Sequence, residues 1–162
     1  MKKIITLFLL SFNLSFCNSL GLSQMDILIL KKIKSLTDDN YMKYSLMAIA
    51  IKESSVGKNL VNNASKDYGL FQANIKSVIR RQKVPDTIYN RRFFAEKLVY
   101  DVGFSTANAI VEIDYWKKVH KDNWIKIWAS YNTGWNYRSD IGVNYATSVF
   151  DIIKKLKYEY NL

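Results

Sequence analysis

The stretch MKYSLMAIAIKE, Met42 to Glu53, decides how this chain folds. Met42, Leu46 and Ile49 recur at helical spacing, and Glu53 falls on the same face one turn later. From Met42 to Ile51 the segment is apolar on nearly every side, which predicts a helix buried within the protein rather than lying on it. A carboxylate ending such a helix admits two readings. Held away from water, its charged form is disfavoured, its pKa rises, and it can keep a proton to deliver to a leaving oxygen. Reaching solvent, it is an ordinary helix-end glutamate.

Working outward, helical patterns fill most of the chain. Leu28, Ile29 and Ile33 mark a helix before the buried one. Residues 54–68 (SSVGKNLVNNASKDY) are polar and rich in Asn and Gly, and read as a loop with room for a small hairpin before Gly69. Asn74 to Gln82 predicts a short helix, ended before Pro85, the one proline. Thr87 to Tyr100 and Thr106 to His120 follow, with the break expected at Gly103. Trp124, Ile127 and Trp128 open a helix that runs through Tyr131 and Asn132 and stops near Gly134. Tyr145, Val149, Ile152 and Leu156 form the stripe of a last helix. The expectation is one all-α domain over residues 20–162.

The N-terminus reads differently. Met1-Lys2-Lys3 and the apolar run from Ile4 to Leu10 have the form of a secretory signal peptide, residues 1–19, with cleavage expected between Cys17 and Leu22. The apolar run before Asn13 is about 12 residues, short of the roughly 20 that a membrane span needs. No membrane span is therefore expected after cleavage, and the protein is expected in the periplasm or secreted. Cys17 is the only cysteine, which excludes an internal disulfide and a thiolate metal cluster. Leu14-Ser15-Phe16-Cys17 resembles a lipid-attachment box, except that bulky Phe16 stands where a small residue belongs.

The formal charge is +10, or +8 without Lys2 and Lys3. Such a surface suits an anionic polymer, and for an exported protein the cell wall is the nearest one. Arg80-Arg81-Gln82-Lys83 and Arg91-Arg92 are the densest basic spots, without the regular aromatic interleaving of a single-strand nucleic-acid binder. His120, the lone histidine, lies among Lys117, Lys118 and Lys121 and reads as a solvated surface residue. No metal site, phosphate loop or Ser-His-Asp set can be assembled, so no cofactor and no nucleic-acid partner are expected.

Downstream of the buried helix come Glu53-Ser54-Ser55-Val56-Gly57, then Asp67-Tyr68-Gly69-Leu70-Phe71-Gln72-Ala73-Asn74, then Ala129-Ser130-Tyr131-Asn132-Thr133-Gly134. In that order, Glu-Ser-x-x-Gly, Gly-Leu-x-Gln and Ala-x-Tyr-Asn-x-Gly resemble the signature motifs of the lytic transglycosylase SLT family. These are lysozyme-like enzymes that cut the glycan strands of bacterial peptidoglycan. Asn144-Tyr145 with Val149 is similar to the tyrosine-bearing final helix of that family. The resemblance spans roughly Lys43 to Lys157, and Ser130 departs from the alanine or other small residue often found there.

The resemblance implies a lysozyme-like fold and a division of roles. Glu53 matches the single glutamate that first protonates the leaving group, then draws a proton from the sugar's own 6-hydroxyl to give a 1,6-anhydromuramoyl end. Ser54 matches the serine that positions substrate or carboxylate; locally it reads equally as a backbone cap. Gly69, Leu70 and Gln72 are expected in the cleft wall, Gly69 letting backbone approach a sugar and Gln72 offering donor and acceptor. Tyr131, Asn132 and Tyr145 are expected beside Glu53. The alternatives are a helix cap for Asn132, a loop brace for Gln72 and plain core for Tyr145. Asp67 lies in wording that also resembles the segment bearing the second carboxylate of animal-type lysozymes. It is expected as an electrostatic stabiliser, a hydrolase nucleophile or a turn residue. The same wording occurs in small specialised lytic transglycosylases of secretion and conjugation machines, which become candidate partners. A hydrolytic lysozyme using Glu53 and Asp67 is one alternative function. A non-catalytic wall-binding assembly subunit is the other.

Overall fold

A computed structural model describes residues 19–162. The expected signal peptide, with Cys17 and its lipobox resemblance, lies outside the described residues except for Ser19. Helices dominate: α1 (Gln24–Lys34), α2 (Asn40–Ser54), α3 (Ile75–Gln82), α4 (Ile88–Tyr100), α5 (Val102–His120), α6 (Trp124–Thr133) and α7 (Asp140–Tyr158), with a single 3-10 turn at Gly134–Asn136. Between α2 and α3 run β1 (Val61–Asn62), β2 (Asp67–Tyr68) and β3 (Ala73–Asn74) in one antiparallel sheet of order β1-β2-β3. The hairpin expected before Gly69 is β1–β2, and β3 extends it on the far side of that glycine. The fold is mostly helical and lysozyme-like, as the sequence reading expects.

Helix α2 is the centre. Every residue from Ser45 to Ala50 is buried, so the segment without a polar face is the one enclosed by its neighbours. Asp39 caps its start by accepting from Met42 N. Ser45, the polar residue within this run, accepts from the Trp128 indole at 2.8 Å. Removing Leu46, Met47 or Ile49 from water contributes on the order of 1.5–3 kcal/mol each. Around α2 pack α1, α5, α6 and α7, sharing one core that includes Leu30, Ile113, Ile127, Val149 and Leu156. A second, smaller cluster joins α3 to α4 through Ile75, Val78, Ile79, Phe94 and Leu98, with Tyr68 and Ala73 of the sheet packed against it.

The break between α4 and α5 falls at Asp101, not at Gly103. Asp101 is extended (φ −113°, ψ 100°), donates its N–H to Lys97 O, and accepts from Phe104 N at 2.9 Å. One aspartate thus closes one helix and caps the next, and Gly103 lies inside the first turn of α5. The reading of His120 as solvated also changes. It is half-buried, its ring stacks on Trp116, and Nε2 lies 2.8 Å from Ser130 Oγ. Ser130, the family departure, is therefore the buried partner of that imidazole.

Candidate active site

The two hydrophobic clusters leave a cleft of about 310 Å³ between them, within the range of small-ligand sites. One wall comes from the sheet and α3: Asp67, Phe71, Gln72, Ala73, Asn74, Ser77 and Arg81. The other comes from α5 and α6: Asn108, Ala109, Glu112, Tyr131 and Asn132. Glu53 lines the same cleft from the last turn of α2.

Glu53 is half-buried, and Tyr145 on α7 donates its hydroxyl hydrogen to Oε1 at 2.5 Å. Desolvation pushes the carboxyl above its ordinary value, and the negative charge of Asp67 pushes the same way. The Tyr145 hydrogen bond and, more weakly, Lys52 oppose them. The balance is upward. Of the two sequence readings of Glu53, the geometry matches the carboxylate held away from water. Tyr145 is itself buried, and burial together with the charge of Glu53 holds its hydroxyl well above the usual phenol range, so it remains a donor.

Tyr131 faces the cleft but is also a brace. Its hydroxyl donates to Phe71 O at 2.9 Å, tying α6 to the opposite wall. Burial, then the charge of Glu53, raises its pKa well above that of free phenol. Asn132 is exposed at the cleft edge. Its side chain makes no hydrogen bond among the described residues, so it is open to a ligand rather than spent on a helix cap. Gln72 adopts a left-handed φ of 48° and donates Nε2 to Asn59 O and Gly69 O. Its donor braces the loop, which leaves its side-chain carbonyl oxygen as the free acceptor.

Ser54, Gly69 and Leu70 stand behind the wall rather than in the cleft. Ser54 is fully buried; its one hydroxyl hydrogen is shared between Leu70 O at 2.9 Å and Ala50 O at 3.1 Å, and its oxygen accepts from Gly57 N at 3.0 Å. The Ser54 hydroxyl is thus turned to backbone partners behind the wall rather than to the cleft. Gly69 (φ +82°) does permit a close approach, but to protein. A Cβ there would sit 2.2 Å from the Leu98 carbonyl oxygen of α4. Leu70 buries its side chain and presents its carbonyl to Ser54.

Asp67 occupies β2 on the cleft wall, where Asn74 Nδ2 donates to its Oδ1 at 2.9 Å. Asn74 also donates to Ser65 O and caps α3 by accepting from Lys76 N. The turn reading and a place in the cleft are thus both satisfied by one residue.

Arg81 and Glu112 are cleft residues that sequence reasoning missed. Arg81 Nη2 donates to Glu112 Oε2, and Glu112 Oε1 accepts from the Trp116 indole at 2.8 Å. The one available signal was Asn108, Glu112 and Trp116 at i, i+4 and i+8 on a single face of α5. Three carboxylates and one guanidinium line the cleft, so its acidic interior contrasts with the net positive charge of the chain. Among the described residues, no cluster of His, Cys, Asp or Glu is arranged to hold a metal, and no helix is long and apolar enough to cross a membrane.

No solved structure matches the chain. An uncharacterized 20.7 kDa protein of the vs-regB intergenic region of Enterobacteria phage T4 is 32% identical over 114 residues, 69% of this chain and 61% of that protein. The chain thus matches somewhat less than two thirds of that relative's length. Among protein families, the transglycosylase SLT domain matches residues 32–148. That span runs from α1 to Tyr145 and just beyond, and it takes in every residue lining the cleft. With the helical core, the cleft and most of the chain matched together, the protein belongs to the transglycosylase SLT domain family.

Proposed function

We propose that this protein is a lytic transglycosylase that cleaves the β-1,4 bond between N-acetylmuramic acid and N-acetylglucosamine in peptidoglycan. The observation that carries the proposal is Glu53, a desolvated carboxyl at the floor of a polar cleft with a tyrosine hydroxyl on Oε1. Such a group holds its proton to higher pH than an ordinary glutamate, which suits it to donate to a glycosidic oxygen. Glu53 gives that proton to the leaving oxygen as the bond from the muramic C1 breaks and oxocarbenium-like charge develops there. The resulting carboxylate, still held by Tyr145, takes the proton of the sugar's 6-hydroxyl as O6 closes onto C1. Glu53 ends protonated, and the product carries a 1,6-anhydro end. No water is consumed. In this reading Asn132 and the side-chain carbonyl oxygen of Gln72 bind sugar N–H or hydroxyl groups.

A hydrolytic lysozyme is the second reading, and it rests on Asp67 sharing the cleft with Glu53. In that case Asp67 shields or attacks C1 and water completes the reaction. Because the substrate lies outside the cytoplasmic membrane, we place the protein in the periplasm or beyond, delivered by the N-terminal basic-apolar segment. The Asp67-Tyr68-Gly69 wording further suggests recruitment by a secretion or conjugation machine.

Mass spectrometry of products from purified sacculi tests the reading. Anhydro-ended muropeptides are expected from the parent enzyme and none from Glu53→Gln. Reducing ends would transfer the assignment to the lysozyme. Intact sacculi with both proteins would leave a wall-binding subunit.

A further inference from the structure

Helix α4 is apolar on two opposite faces. Phe94 and Leu98 turn inward to the smaller hydrophobic cluster. Tyr89, Phe93 and Tyr100, at i, i+4 and i+11, form a stripe on the other side. That stripe faces outward: Tyr100 is 84% exposed, Tyr89 73% and Phe93 41%, and Ile88 beside it is 90% exposed. Single exposed apolar residues are ordinary, but four along one helix make a patch. The rings of Tyr89 and Phe93 lie 9° from parallel with centres 6.5 Å apart, so they present one surface. Cations flank it on both edges. On one edge, Lys97 Nζ lies 5.5 Å from the centre of the Phe93 ring. On the other is a depression of about 480 Å³, into which Lys66, Lys76, Arg91 and Arg92 bring four cations and Glu96 the one carboxylate. Arg91 is taken up by Asp86 through bonds of 2.6 and 2.8 Å, and Lys76 faces the same aspartate at longer range. Lys66 and Arg92 make no ion pair among the described residues. No residue of α4 lines the cleft, so this surface lies apart from Glu53.

We propose that α4 docks this protein on a membrane surface rich in anionic phospholipid. Tyr89, Phe93 and Tyr100 settle at headgroup level, where a ring is buried while a phenol hydroxyl stays wet. Lys66, Lys76 and Arg92 donate to lipid phosphates in the depression beside them. A dissolved polyanion would engage these cations and leave the aromatic stripe in water. An apolar protein surface would cover the stripe and leave the cations unpaired. A bilayer face with negative headgroups meets both at once, which is the complementarity that favours it. The helix lies on the bilayer and does not cross it, since no helix among the described residues is long and apolar enough to span.

Vesicle flotation at about 0.15 M salt tests this. Residues 19–162, which hold both hydrophobic clusters, are used so that the apolar N-terminal run does not itself seek the vesicles. Circular dichroism melting checks that this chain and each variant fold. Vesicles of phosphatidylcholine alone are compared with vesicles containing about a quarter phosphatidylglycerol, which should bind the parent about tenfold or more tightly. Arg92→Glu should weaken binding to the anionic vesicles by about tenfold and leave the neutral ones as they were. Tyr89→Ser with Tyr100→Ser, at exposed positions that accept serine, should weaken binding to both, by about tenfold on the anionic ones. Equal binding of the parent to the two vesicle types, or none to either, overturns the proposal. Parent-like binding by the double-serine variant overturns it too, leaving a site for phosphate alone. Parent-like binding by Arg92→Glu would move the membrane contact to another surface. A dimer in analytical ultracentrifugation that the double-serine change abolishes would give the stripe to a second copy of this chain instead.

Discussion

Tyr145 on α7 donates its hydroxyl hydrogen to Glu53 Oε1 at the end of α2 across 2.5 Å, joining residues 92 positions apart. The bond stabilises the carboxylate form, while burial and Asp67 favour the protonated one. In the proposed mechanism Glu53 gives a proton and then takes one back, which needs both states within reach.

Tyr145→Phe removes the stabilising hydroxyl and leaves burial unopposed on that side, so the Glu53 pKa should climb further. The decline of kcat/KM at high pH, which tracks loss of the Glu53 proton, should move upward. Turnover at the optimum should fall roughly ten- to a hundredfold, the size of a charge-assisted hydrogen bond. A pH–rate profile checks both, and a limb that stays in place would argue against direct coupling.

Stability should carry the same signature. Burial raises the folded-state pKa of Glu53 above its unfolded value, so between the two the folded protein binds more protons than the unfolded chain. Folding stability therefore falls as pH rises through that window, and the penalty is absent below it. Glu53→Gln should melt higher than the parent at pH 7, with the gap closing below the ordinary glutamate value of 4.5. Calorimetric melting curves that run parallel at every pH would contradict the burial effect.

Asp67→Asn acts in the opposite sense to Tyr145→Phe. Its negative charge raises the Glu53 pKa, so neutralising it should draw the high-pH limb downward. The asparagine carbonyl can still accept from Asn74. For a transglycosylase, turnover should remain within about tenfold of the parent and the products should stay anhydro-ended. A loss of about a thousandfold or more would instead mark Asp67 as the second carboxylate of a lysozyme.

Ser54→Ala and Gly69→Ala should be folding mutants. The first leaves the Leu70 carbonyl and the Gly57 N–H without their buried hydroxyl, a cost of about 1–3 kcal/mol. The second forces a side chain into left-handed backbone and against Leu98 O, costing about 3 kcal/mol or more. Denaturant midpoints should drop in both. For Ser54→Ala, KM of the folded fraction should stay near the parent value; a large rise in KM with unchanged stability would return Ser54 to the cleft.

Much of this was written in plain periodicity. The run from Met42 to Ile51 announces a helix enclosed on all sides, and Glu53 on its stripe announces where the carboxyl points. Positions that face one another across the fold were harder. Gly69 signals that something comes close, but a sequence does not say whether the visitor is a sugar or the Leu98 carbonyl. Gly103 looks like a breaker, yet Asp101 supplies both a terminus and a cap, and capping overrides a single glycine. Arg81 and Glu112 sit on separate helices, so no local pattern links them. His120 had the same problem with Ser130, its hydrogen-bond partner on α6, although Trp116 stands one turn before it on α5.

The dependence of Glu53 on α7 also sets an order in time. Tyr145 emerges from the ribosome 92 residues after the carboxylate it serves. A chain still being synthesised, or clipped ahead of that helix, carries its acid without the phenol beside it. Synthesis of α7 is thus the event that finishes this carboxyl's surroundings.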